Sequence, residues 1–397
     1  MNKKIYIEDI AVSCSLGFEP EALLANLRAG EAPGLMAWDK PVYSGREAHV
    51  ARVIHDLPTA NEADYANNRN NRLAHFLCQR IEAGVVSLHQ RYAAERIGVV
   101  IGSSTSGIET TESFTEQQAE TGEMPLTYDY QHQDMGDVSQ VVAKLIGAKG
   151  PVYTVSTACT SSARAMISAS KLIQSGICDA VVCGGVDTLC QLTVNGFDSL
   201  EQVSAEPCRP FDQQRNGINV GEGGALLIVT KDKSDVQLSG FGESADAHHL
   251  SSPMPCGSGA YQAMQMALTK AAVKPRDVGY INAHGTSTQQ NDAMESTAIH
   301  KLFGTEVAVS STKALTGHCL GAAGAVEAAI CTLLLRANNE PIPKQWPLQR
   351  KTDPALADIH LVQDTQIEPL NHVMSNSFAF GGNNASIVLS AVGQCDE

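Results

Sequence analysis

Four short stretches of the chain hold residue types that can do chemistry. The first is "TVSTACTSSARAMI", residues 154–167, where Cys159 sits among small and hydroxylated neighbours. An apolar run, Val152–Val155, precedes it, and an alanine-rich, helix-like run follows. A thiol at such a strand-to-helix turn stands where free N–H groups and the helix dipole favour negative charge. That placement raises the thiolate fraction, and the thiolate is the nucleophile. The other reading is an inert cysteine buried at a tight junction. The second stretch, "INAHGTSTQQNDAMES" (281–296), ends an apolar run on His284 and follows it with hydroxyls. Thr286 and Thr288 could hydrogen-bond a polar linker. Asp292 and Glu295 open the next helix, where acidic residues also simply complement the dipole. The third, "SSTKALTGHCLGAAGAVEAA" (310–329), places Lys313 and His318 in a Gly- and Ala-rich turn too constrained for a solubility lysine. The fourth, "SNSFAFGGNNAS" (375–386), flanks Ala379 with Phe378 and Phe380 and adds a Gly pair that lets a backbone N–H approach a ligand.

Something must hold these stretches together. Short apolar strands alternate with amphipathic helices along the chain, the pattern of an α/β protein with crossover connections. Strands are expected at Lys4–Val12, Ile97–Ile101, Val152–Val155, Ala180–Cys183, Ala225–Thr230, Gly279–Ala283, Val307–Ser310, His372–Asn376 and Ala385–Leu389. Helices are expected at Glu19–Leu27, Arg72–His89, Val138–Leu145, Ser161–Gln174, Gly259–Ala272, Asp292–Phe303 and Ala322–Leu335. There is an internal echo: "PVYTV" leads into "STACTSS" as "VAVSS" leads into "TKALTGH". Stacked halves would bring the two elbows near each other. Residues 341–355, with their prolines, read as an extended surface connection.

Composition narrows the function. The 397 residues are 43% hydrophobic and 18% charged, ordinary for a globular protein with more than one core unit. A net charge of −15 disfavours nucleic acid. The 11 scattered cysteines form no Cys-x-x-Cys pair, which argues against a disulfide framework and a zinc site and fits a reducing compartment. No apolar run reaches the roughly 18 residues of a membrane helix, and the N-terminus carries no secretory pattern. A cytoplasmic location without membrane contact is the expectation.

Together, "TACTSS", "NAHGTST", "STKALTGH" and "NSFAFGG" resemble, in order, the motifs of the β-ketoacyl-acyl-carrier-protein synthases, condensing enzymes of fatty-acid and polyketide synthesis. The resemblance runs from "IYIEDIAV" to "ASIVLS". It implies a thiolase fold: two similar βαβ-rich halves, here 1–235 and 236–397, in a five-layered αβαβα arrangement. It implies decarboxylative Claisen condensation of malonyl-carrier protein with an acyl chain held on Cys159. By the same resemblance His284 and His318 assist decarboxylation and Lys313 supports them. The N–H groups of Cys159 and Phe380 form an oxyanion hole, with Phe380, beside Phe378, as the gate. Thr286 and Thr288 hold the phosphopantetheine arm. Glu327 is a supporting acid, and Glu295 is taken as a second. No metal and no cofactor is implied. The partners would be acyl carrier protein and a second subunit, either an identical chain or one resembling a chain-length factor.

The sequence departs from the family at several points. Ala379 replaces the middle glycine of the gate, and Asn383 follows the Gly pair where threonine is usual. Glu201 falls where a basic residue contacts carrier protein. Docking is therefore expected at "NNRNNRLAHFLCQR", with Arg69, Arg72 and Arg80 on one helical face. Tyr128, Tyr130, Gln131 and His132, in an unusually polar segment, are expected to line or neighbour the acyl tunnel. A thiolase would carry a second cysteine where "FAFGGNN" stands. A non-catalytic chain-length subunit would lack Cys159. The altered gate and the polar segment lean toward a specialised pathway such as polyene synthesis.

Overall fold

The computed structural model describes residues 3–59, 67–348, 351, 353–367 and 369–393. Ten strands form one mixed sheet: Tyr6–Ser13 (β1), Ile97–Gly102 (β2), Val152–Val155 (β3), Ala180–Asp187 (β4), Gly223–Thr230 (β5), Val236–Ala245 (β6), Tyr280–Asn282 (β7), Ala308–Ser310 (β8), His372–Ala379 (β9) and Asn383–Ala391 (β10). Their spatial order is β8-β7-β9-β10-β6-β1-β5-β4-β2-β3. Cut between β1 and β6, this gives the same topology twice, 3-2-4-5-1 and 8-7-9-10-6. Within each half the pairing senses also match: β2 lies parallel to β3 and β4, and β7 lies parallel to β8 and β9. Within the sheet the halves join where β1 meets β6, through the antiparallel pairs Tyr6 with Gln237 and Ile7 with Val236.

The helices that position the chemistry are Arg69–Arg80 (α1), Asp137–Ile146 (α2), Ser161–Gln174 (α3), Gln191–Ser199 (α4), Ser258–Ala271 (α5), Gln289–Phe303 (α6) and Ala323–Arg336 (α7). α3 and α7 pack against each other and against strands of both halves. α7 is buried from Ala323 to Leu335, as a helix that is apolar all round must be. α1 and α2 cover one outer face, and α5 and α6 cover the other. This is the five-layered αβαβα arrangement. A small sheet of Leu35–Ala37, His49–Ala51 and Val220–Gly221 lies beside it.

The helix Gln191–Ser199 and the small sheet were not expected from the sequence, and three further elements differ from that reading. The helix expected over Arg72–His89 is two, broken at Ile81 (φ −106°, ψ 13°). The strand β6 was hidden by its glycines: a Cβ on Gly240 or Gly242 would stand 2.1 or 2.0 Å from a carbonyl oxygen of α5. Close helix packing demands those glycines, and glycine erases the strand signal. The helix Ile108–Thr121 has no fully buried residue, so it carries no apolar stripe to read.

Gly102 makes a tight contact behind Cys159. A Cβ there would stand 2.3 Å from the backbone nitrogen of Ser162 in α3. Neither backbone can yield cheaply, so Gly102→Ala should destabilise the fold by about 1–3 kcal/mol. Denaturant unfolding would show a lower midpoint; an unchanged midpoint would contradict the close packing of β2 on α3.

Candidate active site

The Cys159 elbow is built from hydroxyls. Ala158 turns the chain through the left-handed region (φ 53°), a conformation that costs a non-glycine residue about 1–3 kcal/mol and persists only when held. Ser161 holds it: its Oγ donates to Ala158 O and accepts from Thr157 N. Thr160 Oγ1 donates to Thr157 O. The "TACTSS" run thus spends its hydroxyls on its own backbone. The thiol emerges just before α3, 8% exposed.

His318 comes from the opposite half and is clamped by the first. Its N–H donates to Asn219 O, and its carbonyl accepts from Gly221 N, both at 2.8 Å. Its ring lies with Nε2 3.0 Å from Cys159 Sγ, while Nδ1 accepts from Leu320 N at 3.0 Å. A backbone amide can only donate. Nδ1 therefore keeps its lone pair, and the neutral ring carries its proton on Nε2, facing the sulfur. His284 stands perpendicular to His318, ring centroids 5.3 Å apart. Its loop is tied down by Glu295, whose two oxygens accept from His284 N and Gly285 N at 2.8 and 2.7 Å. Burial raises the Glu295 carboxyl to about 7.

Lys313 and Glu327 form an ion pair behind the histidines, both almost fully buried. Burial, then the Lys313 charge, push both histidines well below their ordinary range. They are neutral donors at physiological pH, not imidazolium ions. The donor atoms of Cys159, His284 and His318 lie within 4.8 Å of one another. With its proton on Nε2, however, His318 offers that centre no lone pair, so the trio does not suit a metal.

The thiol departs from the sequence expectation. Burial dominates and pushes it up to about 11, against the lowering effects of Lys313 and of the N–H groups of Cys159 and Phe380. Desolvation shifts a buried group by several units, whereas a helix terminus contributes only about 0.3–1 kcal/mol. Cys159 therefore rests as a thiol.

The segment from Phe378 to Phe380 lies against this centre. Phe380 packs against Phe197 of α4, ring centroids 5.6 Å apart. Gly381 (φ 75°) and Gly382 (φ 71°) make the turn that glycine permits. Gly381 N donates to Leu250 O at 2.6 Å, and Asp246 N donates to Gly382 O at 2.8 Å. Ala379 is extended (φ −123°, ψ 160°), so its methyl group is carried without strain. Phe378, Thr286 and Thr288 line the same cleft, and Thr286 Oγ1 and Thr288 Oγ1 lie 3.0 Å apart. Thr288 also caps α6 through Asn291 N. Phe197, Gln202, Ser251 and Pro253 complete the wall; sequence reasoning passed over them, although Phe197 and Gln202 flank Glu201 in "NGFDSLEQVS".

The proposed docking arginines are occupied. Arg69 donates to both oxygens of the buried Glu222, at 2.8 and 2.6 Å. Arg72 donates to Pro58 O and Leu57 O. Arg80 pairs with Glu19. Nor do Tyr128, Tyr130, Gln131 and His132 line the cleft. Their segment packs on the helix Ile108–Thr121, where Phe114 meets the rings of Tyr128 and His132.

Comparison with known proteins places this cleft. Residues 81–234 match the Beta-ketoacyl synthase, N-terminal domain, and residues 236–346 match the Beta-ketoacyl synthase, C-terminal domain. The chain is 30% identical to 3-oxoacyl-[acyl-carrier-protein] synthase 2 of Staphylococcus aureus (strain COL), over 98% of both proteins. Among solved structures it is similar to the ketosynthase ApeO of Xenorhabdus doucetiae, in complex with its chain length factor ApeC. That match is 41% identical over 98% of both chains, with a TM-score of 0.94. A Burkholderia phymatum β-ketoacyl synthase is 28% identical over 98% of this chain and 100% of its own, with a TM-score of 0.85.

Two measurements check the site. Alkylation of Cys159 by iodoacetamide should keep accelerating through pH 9–10, because a thiol raised to about 11 is still deprotonating there; a plateau by pH 8 would refute the burial argument. Arg69→Ala would leave Glu222 buried and unpaired, a loss on the order of 3–5 kcal/mol. Unchanged stability would show that Arg69 is free to serve elsewhere.

Proposed function

The chain belongs to the β-ketoacyl synthase family, and we propose the following division of labour for its cleft. The enzyme is an acyltransferase that joins malonyl-carrier protein to an acyl chain by decarboxylative Claisen condensation. Cys159 Sγ attacks the acyl thioester carbonyl. The N–H groups of Cys159 and Phe380 hold the oxyanion, the pantetheine thiolate leaves, and it takes up the proton the cysteine gives. Malonyl thioester then binds along Thr286 and Thr288. As CO₂ departs, the electrons of the broken C–C bond become an enolate. His318, with its proton on Nε2, and His284 donate to the enolate oxygen. The enolate carbon attacks the acyl-cysteine, and the thiolate of Cys159 leaves and is reprotonated. Burial and the Lys313 charge keep the histidines neutral, Glu295 holds the His284 loop in place, and Glu327 balances Lys313. None of these steps calls for a metal or a redox cofactor. The observation that carries this reading is one thiol, two neutral histidines and two backbone donors meeting at one end of a cleft.

We place the enzyme as the catalytic subunit of a heterodimer with a chain-length-factor-like protein, in polyene or polyketide rather than housekeeping fatty-acid synthesis. The greater likeness to a ketosynthase solved with its chain length factor supports this, 41% against 30% for the curated synthase. So does β3, one of the two edge strands of the sheet, whose four residues are only partly buried; such an edge invites pairing with another chain. The reading also puts the protein in the cytoplasm. No helix among the described residues is long and apolar enough to cross a membrane.

Mass spectrometry of the enzyme incubated with acyl-carrier protein should find the acyl chain on Cys159 and none on Cys159→Ala. His284→Ala and His318→Ala should still load the chain, yet lose malonyl decarboxylation by about 10²-fold or more. Loading of Cys159→Ala, or normal decarboxylation by either histidine variant, would overturn these roles.

A further inference from the structure

Asp187, at the end of β4, is fully buried and lies outside the four motifs. Its Oδ1 accepts from Ser103 Oγ, Ser104 N, Thr105 N and Thr105 Oγ1, at 2.7–2.9 Å. Its Oδ2 reaches across to the other half and accepts from Ala322 N at 3.0 Å. Ala322 ends the turn that begins at His318. Within that turn Leu320 sits in the left-handed region (φ 49°), which a leucine does not hold unaided. Its N–H is the donor to His318 Nδ1. Gly321 fits against the same carboxylate: a Cβ there would stand 2.7 Å from Asp187 Oδ2 and 2.6 Å from Ser104 Oγ.

We infer that Asp187 is a positioning residue that fixes the tautomer of His318. It fastens the strained turn at Ala322, the turn aims the Leu320 amide at Nδ1, and the amide keeps the ring proton on Nε2, facing the reacting atoms. If the turn relaxes, Nδ1 is free to take the proton. Nε2 would then present a lone pair to an enolate oxygen, and attraction would become repulsion. Acyl loading, which uses the thiol and the backbone donors, depends on this far less than decarboxylation does. The inference rests on the role given above to His318.

Asp187→Asn separates the two clusters of donors. The four donors at Oδ1 will claim the amide carbonyl, which leaves the NH₂ group facing Ala322 N–H, donor against donor. Decarboxylation of malonyl-carrier protein should fall at least about tenfold in kcat, with KM and acyl loading changed by less than about twofold. Nitrogen-15 spectra of histidine-labelled enzyme, assigned with His318→Ala, should show the His318 ring passing from a single Nε2-protonated form to a mixture. If Asp187→Asn does not fold, Gly321→Ala drives a methyl group against the same carboxylate and should give the same pair of changes. An unaltered His318 spectrum, or an equal loss of loading and decarboxylation, would overturn the inference. The spectrum decides the positioning claim by itself. Should His318→Ala keep decarboxylating, the role of His318 would fall instead.

Discussion

One buried ammonium sets the electrical conditions of the whole cleft. Lys313 bears on Cys159, His284, His318 and Glu295 alike, lowering each of them. An unpaired charge at that depth would cost several kcal/mol, so it comes with Glu327. Such a pair is poor value for stability alone; apolar residues of the same volume usually do as well. What it supplies is an environment. Burial keeps the histidines neutral, and the Lys313 charge adds to that while it leaves positive potential near the place where an enolate will form. Donors that stay neutral need no counter-ion and do not reorganise when charge appears beside them.

The backbone does the rest of the aiming. The nucleophile hangs from the first half and His318 from the second, yet His318 is bonded on both sides to the strand segment Asn219–Gly221 of the first. Each elbow is held in a left-handed turn, at Ala158 and at Leu320, and each turn is tied by polar groups that never touch substrate. Left-handed residues occur elsewhere too, as at Phe211 and Ser287, but the conformational cost at these two turns sets the direction of Cys159 and His318. The tightly packed α3 and α7 beneath them give that cost something rigid to act against.

The sequence singled out residues that the fold brings together because their types are rare in their settings: a cysteine among hydroxyls, a lysine among glycines and alanines. It disclosed the alternation of strands and helices for the usual reason of period. It did not disclose Asp187, since what marks that carboxylate is five donors drawn from two distant segments. Nor did it disclose the partner of Arg69, for the same reason: the Glu222 that engages it is 153 residues away. The thiol of Cys159 was misjudged because a helix terminus is visible in a sequence, whereas the depth of burial is a property of the finished fold. Ala379 looked like a defect in the gate and is not one in this conformation, where its backbone is simply extended.

The doubled strand order is what two copies of one unit, joined in a single chain, would give. A pair of identical ancestral units, related by a twofold axis, would have carried the same residues on both elbows and so two equal centres. Joining the units in one chain broke that obligation. The elbow after β3 kept a sulfur and the elbow after β8 kept a hydrogen-bond donor and a cation, so that two half-equipped copies came to share one centre. Neither half would now be useful to the other's duplicate. The division of labour locks the fusion in place, and a gene encoding one half alone would have no chemistry left to be selected for.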